Sequence, residues 1–216
     1  MKALAIVLVL GIGTQIIGFN FISFYLQTIL ELSNTTVSPA IGSAAIGFIQ
    51  IISSAIAGAF TDRYGRRPIL ISTFLTLALG MFGLGIFFIV QQRGGIIGFL
   101  NYLPLICIAV VTCSYSGGIG CLYFVIATEL VDGPIRALAG TVAGVAATLI
   151  TFLLSRYTIN ILSSIGPDAT FSVFGVVNIM MSLFIFFFVP ETKQKTIAEI
   201  QRALGQEERK DYVTKF

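Results

Sequence analysis

The chain has 216 residues, of which 56% are hydrophobic and only 11% are charged, and its mean hydropathy is +0.95. A soluble domain carries about 25% charged residues, so this composition excludes an ordinary soluble protein and indicates a membrane protein. The formal net charge of +3 is too small to indicate nucleic-acid binding. The chain has no histidine, and its three cysteines fall within one apolar segment, which predicts neither a disulfide framework nor a metal site.

Six segments contain about 20 or more mostly apolar residues, the length that crosses a bilayer as a helix. They comprise residues 3–30, 40–60, 69–90, 100–128, 137–162 and 169–189. The polar breaks between them are too short to hold a soluble domain. The sequence therefore predicts an all-α membrane protein with a six-helix transmembrane domain over residues 1–190. A cytosolic tail over residues 191–216 follows, in which Thr196 and Glu199 form a capping box that predicts a short amphipathic helix.

Lysine and arginine are distributed unevenly between the two predicted sides of the membrane. Of the 13 residues, only Arg93 and Arg156 fall on the side opposite the termini. Because basic loop residues favour the cytosol, both termini are predicted to be cytosolic. A multi-pass protein is expected, and its expected location is the plasma membrane. On the outer side, the tripeptide "NTT" makes Asn34 a candidate glycosylation site.

Glycines and polar residues interrupt two of the six segments, and these two begin the first and second triplets of helices. The first contains "GIGTQIIGFN" at residues 11–20, and the fourth contains "SYSGGIGCLYF" at residues 114–124. Broken helices in corresponding positions of two repeats indicate a transporter's binding site, because unwound backbone in a membrane survives where it lines a cavity. On an ideal helix Gln15 and Asn20 lie about 140° apart, so only a bend near Gly18 or a broad cavity wall brings both to one site.

The polar side chains of the predicted cavity are uncharged. They are Thr14, Gln15, Asn20 and Ser23, with Gln50 in the second segment. Amides offer donors and acceptors in fixed planes, which suits neutral, hydroxyl-rich solutes better than ions. Alternatively, each amide only joins neighbouring helices, an interaction worth about 0.6–2 kcal/mol. Three amides together with two interrupted helices favour the cavity.

Four stretches, taken in order, resemble a known family. They are "TQIIGFNFISFY", "DRYGRRPIL", "ELVDGPIR" and "VPETKQKTIAEI". Together they resemble the C-terminal half of a sugar porter, the branch of the major facilitator superfamily that contains facilitative glucose transporters and insect trehalose transporters. The resemblance covers essentially the whole chain. It implies two three-helix inverted repeats that form half of a twelve-helix fold.

The resemblance also implies roles for individual polar residues. The family pattern Q-Q-x-x-G-x-N is matched at Gln15, Gly18 and Asn20, with Thr14 in place of the first glutamine. These residues are thereby expected to bind sugar hydroxyls or to support the residues that do. Gln50 occupies a position where the family often has a sugar-contacting amide.

The chain departs from the family pattern in its fourth and fifth segments. The stretch "IGCLYF" replaces the family's G-P-x-P-W, so both prolines are absent and Phe124 stands where tryptophan is usual. By the resemblance, Phe124 is expected to contact the sugar. Ala147 falls where many members have a polar ligand on the next helix.

Charged motifs lie at the predicted cytosolic mouth, where the resemblance implies a latch that holds the outward-facing state. The residues concerned are Asp62, Arg63, Gly65, Arg66, Arg67, Glu129, Arg136 and Glu191. Arginine–carboxylate pairs at helix ends can form in one arrangement of a bundle and break in another. The alternative is a set of positive-inside arginines next to an ordinary turn. The recurrence of acids and arginines at three linked positions favours the latch.

These features predict transmembrane transport of a sugar, either a hexose or a disaccharide, by alternating access. All ten acidic residues fall in loops, at helix ends or in the tail, so this part of the protein is not expected to couple transport to protons, and facilitative transport is predicted. The sequence lacks convergent intramembrane carboxylates and a nucleotide motif, which argues against an enzyme. No cofactor or metal is expected.

The chain supplies one six-helix half, whereas the resembled family pairs two. It is therefore a fragment of a full transporter, a half that dimerises, or a non-transporting membrane protein that acts as a sensor or partner-binding remnant. A start at Met1 directly before the first apolar segment favours the fragment. The expected partners are a sugar, the lipid bilayer, and either the missing N-terminal half or a second copy.

Overall fold

The computed structural model describes residues 2–33, 37–94, 101–120, 122, 123, 125 and 135–189, with the side chains of residues 2–4, 59–64, 135–139, 143 and 159 left out. Its helices are α1 (Lys2–Ile16), α2 (Phe19–Leu32), α3 (Pro39–Tyr64), α4 (Arg66–Gln92), α5 (Leu103–Gly117), α6 (Ile135–Ile165) and α7 (Pro167–Phe188). Within these ranges the backbone contains no strand. The all-α fold class predicted from composition is therefore correct.

By length and composition, five helical segments of the described chain can cross a membrane. They are Ala5–Leu32 (α1 and α2 together), Pro39–Gly58, Arg66–Gln92, Gly140–Ile165 and Pro167–Phe188. The remaining predicted segment contains the shorter apolar helix α5, after which helical backbone resumes at residue 119. Apart from α5, the helices begin and end within a few residues of the apolar segments. Helix α5 ends at Gly117, whereas the fourth segment is predicted to continue to residue 128, because the glycine-rich stretch interrupts it. The predicted tail over residues 191–216 lies outside the described residues.

Two of the helix connections are turns made by a single glycine. Gly65 joins α3 to α4 with φ 90°, and Gly166 joins α6 to α7 with φ 95°. Glycine reaches this region without the steric cost of a Cβ atom. Pro167 then occupies the start of α7, where its missing N–H is not needed by the helix. These short turns place α3 beside α4 and α6 beside α7.

The core is built around α4, which packs against α5 on one side and α7 on the other. Small residues allow the close approach: a Cβ atom on Gly80 would lie 3.2 Å from the Cys107 carbonyl oxygen, and one on Gly85 would lie 2.8 Å from the Ser172 Oγ. The rings of Phe88 and Phe171 stack across the α4–α7 contact with their centroids 5.6 Å apart. Packing through small residues is the usual way in which helices associate in lipid.

Helices α6 and α3 leave the largest share of their membrane-length surface uncovered, and α7, with 39% of its apolar window buried, follows them. Only 12% of the apolar window of α6 and 22% of that of α3 are buried, against 61% for α1 with α2 and 56% for α4. Large apolar side chains such as Phe48 and Phe152 are exposed there. An uncovered surface of this kind faces either lipid or a further protein surface.

We predict that the close α4–α5 contact limits the size of residue 80. The Gly80→Leu substitution should destabilise the fold by about 1–3 kcal/mol, because the new side chain overlaps Val111 and the backbone of α5. The matched control is Gly47→Leu on α3, where an added Cβ meets nothing within 4 Å. Thermal unfolding of the purified chain in detergent measures both. Equal melting temperatures for the two variants would contradict the packing assigned to α4.

Candidate functional site

The first apolar segment breaks into α1 and α2 at Gly18. Gly18 adopts φ 87° and ψ −4°, in the left-handed region, and its carbonyl accepts the first hydrogen bond of α2 from the Ile22 N–H at 3.0 Å. A Cβ atom at this position would lie 2.6 Å from Cγ of Phe174. Both the backbone conformation and the close ring therefore require glycine here.

The break brings the two amides of "GIGTQIIGFN" together. Asn20 Nδ2 donates a hydrogen bond to Gln15 Oε1 at 2.5 Å, although an uninterrupted helix would place these side chains about 140° apart. The bend near Gly18, one of the two possibilities that the sequence left open, is therefore the one observed. Both amides are half-buried.

Gln15 is the centre of a hydrogen-bond network that joins α1, α2 and α6. Its Oε1 also lies 2.7 Å from the Thr151 hydroxyl of α6, which can donate to it or to the Ala147 carbonyl at 2.9 Å. Its Nε2 donates to the Thr14 hydroxyl at 3.1 Å. An amide nitrogen carries two N–H groups, so one N–H of Gln15 has no partner among the described residues. The network fixes the Gln15 side chain and leaves a donor for a ligand.

The second glycine-rich stretch also interrupts its helix. Helix α5 ends at Gly117, and Gly118 has φ −129° and ψ −101° before helical backbone resumes. A Cβ atom on Gly118 would overlap the side chain of Thr73 on α4. Just before this break, the ring of Tyr115 stacks on the ring of Phe19 with centroids 3.6 Å apart and planes 10° apart. The two breaks predicted from the glycines are therefore both present, and they are in contact.

A cavity of about 300 Å³ lies between the two breaks and α6. It is lined by Thr14, Gln15, Tyr115, Ile119, Gly120, Tyr123, Gly144, Ala147, Thr148 and Thr151. No lining residue is charged. The lining combines threonine hydroxyls, one amide and two tyrosine rings, a set that offers hydrogen bonds and flat apolar surfaces to a neutral polar ligand.

Two further cavities adjoin α5. One, of about 430 Å³, lies between α4 and α5 and has a lining that includes Pro68, Thr76 and Ser114. Another, of about 360 Å³, lies between α3 and α5 and is almost entirely apolar. Neither lining contains an amide side chain or residues from the break at Gly18. The cavity beside Gln15 is therefore the candidate site.

The predicted sugar-site residues do not all meet at this cavity. Thr14 and Gln15 line it, whereas Asn20 reaches it through Gln15. Gln50 is exposed on α3 and is absent from the lining, because α3 packs against α5 and α2 and leaves this face uncovered. Phe124 lies outside the residues whose side chains are described.

The resemblance pointed to α6 in the sugar site only through Ala147, and the roles of Gly144, Thr148 and Thr151 were not predicted. Gly144, Ala147, Thr148 and Thr151 recur at the three- and four-residue spacing of one helix face, and all line the cavity. A stripe of small and hydroxyl residues within an otherwise apolar segment was the signal available. Its pairing with Gln15, 136 residues away in sequence, depends on the fold.

Part of the predicted latch is described. Arg67, at the start of α4, donates from Nη2 to the Phe186 carbonyl near the end of α7, and its guanidinium lies 5.5 Å from the centre of the Phe186 ring. A cation at a helix C-terminus is favourable, because the last carbonyls of the helix lack intrahelical donors. Gly65 and Arg66 form the turn into α4. The other latch candidates have side chains outside the described part of the chain; they are Asp62, Arg63, Glu129, Arg136 and Glu191. The candidate glycosylation site Asn34 also lies outside the described residues.

Comparisons with known proteins identify the family of the chain. The family model described as "Sugar (and other) transporter" matches residues 1–204. The facilitated trehalose transporter Tret1 of Bombyx mori is 30% identical over 204 residues, which are 94% of this chain and 40% of that protein. Tret1 of Culex quinquefasciatus is 29% identical over the same length. The chain thus spans about 40% of the length of these relatives.

Solved structures show the same fold. The inward-open xylose transporter XylE from E. coli is 26% identical, with a TM-score of 0.78, and the match covers 94% of this chain and 42% of XylE. A double-tryptophan XylE mutant gives a TM-score of 0.81 at 23% identity, which supports the fold alone. The chain therefore belongs to the sugar (and other) transporter family, and it has the fold of half a major facilitator transporter.

Proposed function

We propose that the chain forms one half of a transporter that moves a neutral sugar, a hexose or a disaccharide, across a membrane by alternating access. The observation that carries this proposal is the uncharged cavity at the two helix breaks, into which Gln15 presents a fixed amide. The relatives are named as trehalose transporters and a xylose transporter, and these names support the substrate class. The order of the sequence motifs assigns the chain to the C-terminal half, and this assignment stays a prediction.

The distribution of polar surface supports a two-part pathway. The cavity is bounded on the described side by α1, α5 and α6, and α6 leaves most of its apolar window uncovered. In a bilayer, the Gln15 amide and the threonine hydroxyls need a protein wall opposite them, because lipid cannot hydrogen-bond to them. The missing N-terminal half, or a second copy of the chain, supplies this wall in the proposal.

Facilitative transport fits the position of the acidic residues. Among the described side chains, Glu31 lies at the end of α2 and Asp168 lies in the first turn of α7. A carboxylate that couples a proton to transport is expected within the membrane, facing the pathway. The positive-inside distribution of lysine and arginine supports cytosolic termini, and the proposal places the protein in the plasma membrane. Glycosylation of Asn34 on the outer side remains a prediction.

The first prediction from the proposed function concerns the two amides that contact each other, Gln15 and Asn20. In the complete transporter, Asn20→Ala and Gln15→Ala should each weaken sugar affinity roughly three- to tenfold, because each removes a hydrogen bond from the site or from its support. Gln15→Ala should have the larger effect, since it also leaves Asn20 and Thr151 without their shared acceptor. Binding of radiolabelled sugar and the melting temperature are measured for each variant.

The control for these variants is Gln27→Ala, an exposed amide on α2 whose Nε2 contacts Glu31 Oε1 at 3.3 Å. It should leave affinity unchanged. If Asn20→Ala and Gln15→Ala lower the melting temperature while affinity stays at the wild-type value, the amides only join helices and the sugar site lies elsewhere.

The second prediction is that the 216-residue chain does not transport as a monomer. Reconstituted in liposomes, it should take up no more sugar than empty liposomes, whereas the complete protein should transport. Uptake that appears only as the chain dimerises would identify a second copy as the opposite wall. Uptake by a verified monomer would contradict the two-part pathway.

The third prediction concerns Arg67. A hydrogen bond to a charged group is worth about 1.5–3 kcal/mol, so Arg67→Ala should shift the balance between transporter states by roughly tenfold or more. The maximal transport rate should change while sugar affinity changes little, because Arg67 contacts Phe186 and not the cavity. Arg93→Ala, at the opposite end of α4, is the matched control. A loss of affinity without a change in rate would exclude the latch.

A further inference from the structure

Asn178 on α7 is a fully buried amide that does not line the cavity. Its Nδ2 donates to the Ile17 carbonyl at 3.0 Å and to the Phe174 carbonyl at 2.8 Å. The second bond lies within α7, whereas the first crosses to the helix break. The contact with Ile17 is therefore the one that needs an explanation.

The Ile17 carbonyl requires a donor because of the break itself. Helix α1 ends at Ile16 and α2 begins at Phe19, so Ile17 lies between the two helices. Carbonyl groups at a helix C-terminus have no intrahelical N–H partner. Ile17 is completely buried, where water cannot satisfy its carbonyl. Asn178 supplies the donor that the interrupted helix lacks.

The same face of α7 also packs against the break. A Cβ atom on Gly18 would meet the Phe174 ring, and one on Gly13 would overlap Met181. Phe174, Asn178 and Met181 follow the spacing i, i+4 and i+7, which places them on one side of a helix. One continuous face of α7 therefore packs against the break.

The amide of Asn178 is used as a donor only. Both N–H groups are occupied, while its buried Oδ1 has no hydrogen-bond partner among the described residues. A buried acceptor without a partner is unfavourable, so an apolar residue of similar size would pack at lower cost if no donor were needed. The donor contact with Ile17 offsets this cost.

We propose that Asn178 is a positioning residue for the sugar site. By holding the Ile17 carbonyl, it fixes the backbone at Gly18 in the geometry that allows Asn20 to donate to Gln15. Asn178 contacts no lining residue through its hydrogen bonds, and it acts on the ligand through the break. The inference rests on the proposed function of the cavity.

The first test measures the backbone. Asn178→Leu keeps the approximate volume and removes the donor, and Asn178→Ala removes both. In the complete protein, hydrogen exchange of the Ile22 amide, which bonds to Gly18, should become roughly three- to tenfold faster in both variants. Asn160→Leu, the same change at an exposed position on α6, should leave this exchange unchanged. Wild-type exchange at Ile22 in both Asn178 variants would overturn the proposal. So would an effect in Asn178→Ala alone, since that indicates packing.

The second test measures sugar binding in a double-mutant cycle. Asn178→Leu should weaken affinity roughly three- to tenfold. In the Asn20→Ala background it should cause no further loss beyond about twofold, because both changes act through the same pair of amides. Fully additive losses, or unchanged affinity in Asn178→Leu, would overturn the positioning role while the sugar site stands. If the wild-type protein binds no sugar, the proposed function and the site role fail together, and exchange at Ile22 still decides whether Asn178 holds the break.

Discussion

The site depends on the hydrogen bonds made by one atom, the carboxamide oxygen of Gln15. It accepts a hydrogen bond from Asn20 at 2.5 Å and lies 2.7 Å from the Thr151 hydroxyl, which can donate to it, and so it joins three helices at one atom. In lipid, polar side chains without partners are costly, so this network both stabilises the bundle and fixes the direction of the remaining Gln15 N–H. A preorganised donor binds a ligand hydroxyl without paying for its own ordering.

The geometry of this contact is set by the backbone break behind it. Gly18 turns the chain so that Asn20 faces Gln15. Asn178 donates a hydrogen bond to the Ile17 carbonyl, which the turn leaves without an intrahelical partner. Because α7 also packs tightly on α4, the break is supported by the most extensively packed part of the fold. Helix α6, which brings Thr151, has the smallest buried share among the five membrane-length segments of the described residues. The site thus joins a firmly packed element to a sparsely packed one, an arrangement suited to movement between two states.

Much of this could be predicted from the sequence, because apolar length and glycine interruptions are local signals. The segments, both breaks, and the choice of Gln15 and Asn20 as candidates follow from residues within about twenty positions of one another. The roles of Thr151 and Asn178 could not be predicted, since they depend on contacts with residues 136 and 161 positions away. Gln50 is predicted to be a sugar ligand from its sequence position, but its side chain is exposed on α3. Whether it contributes to the site depends on what covers this face of α3.

A structure of the complete transporter with bound sugar would show whether the cavity beside Gln15 binds the ligand. We expect a sugar hydroxyl within hydrogen-bond distance of Gln15 Nε2, with the ring near Tyr115 and the Asn20–Gln15 contact intact. A sugar bound between α4 and α5, or one that does not contact Gln15, would place the binding site elsewhere.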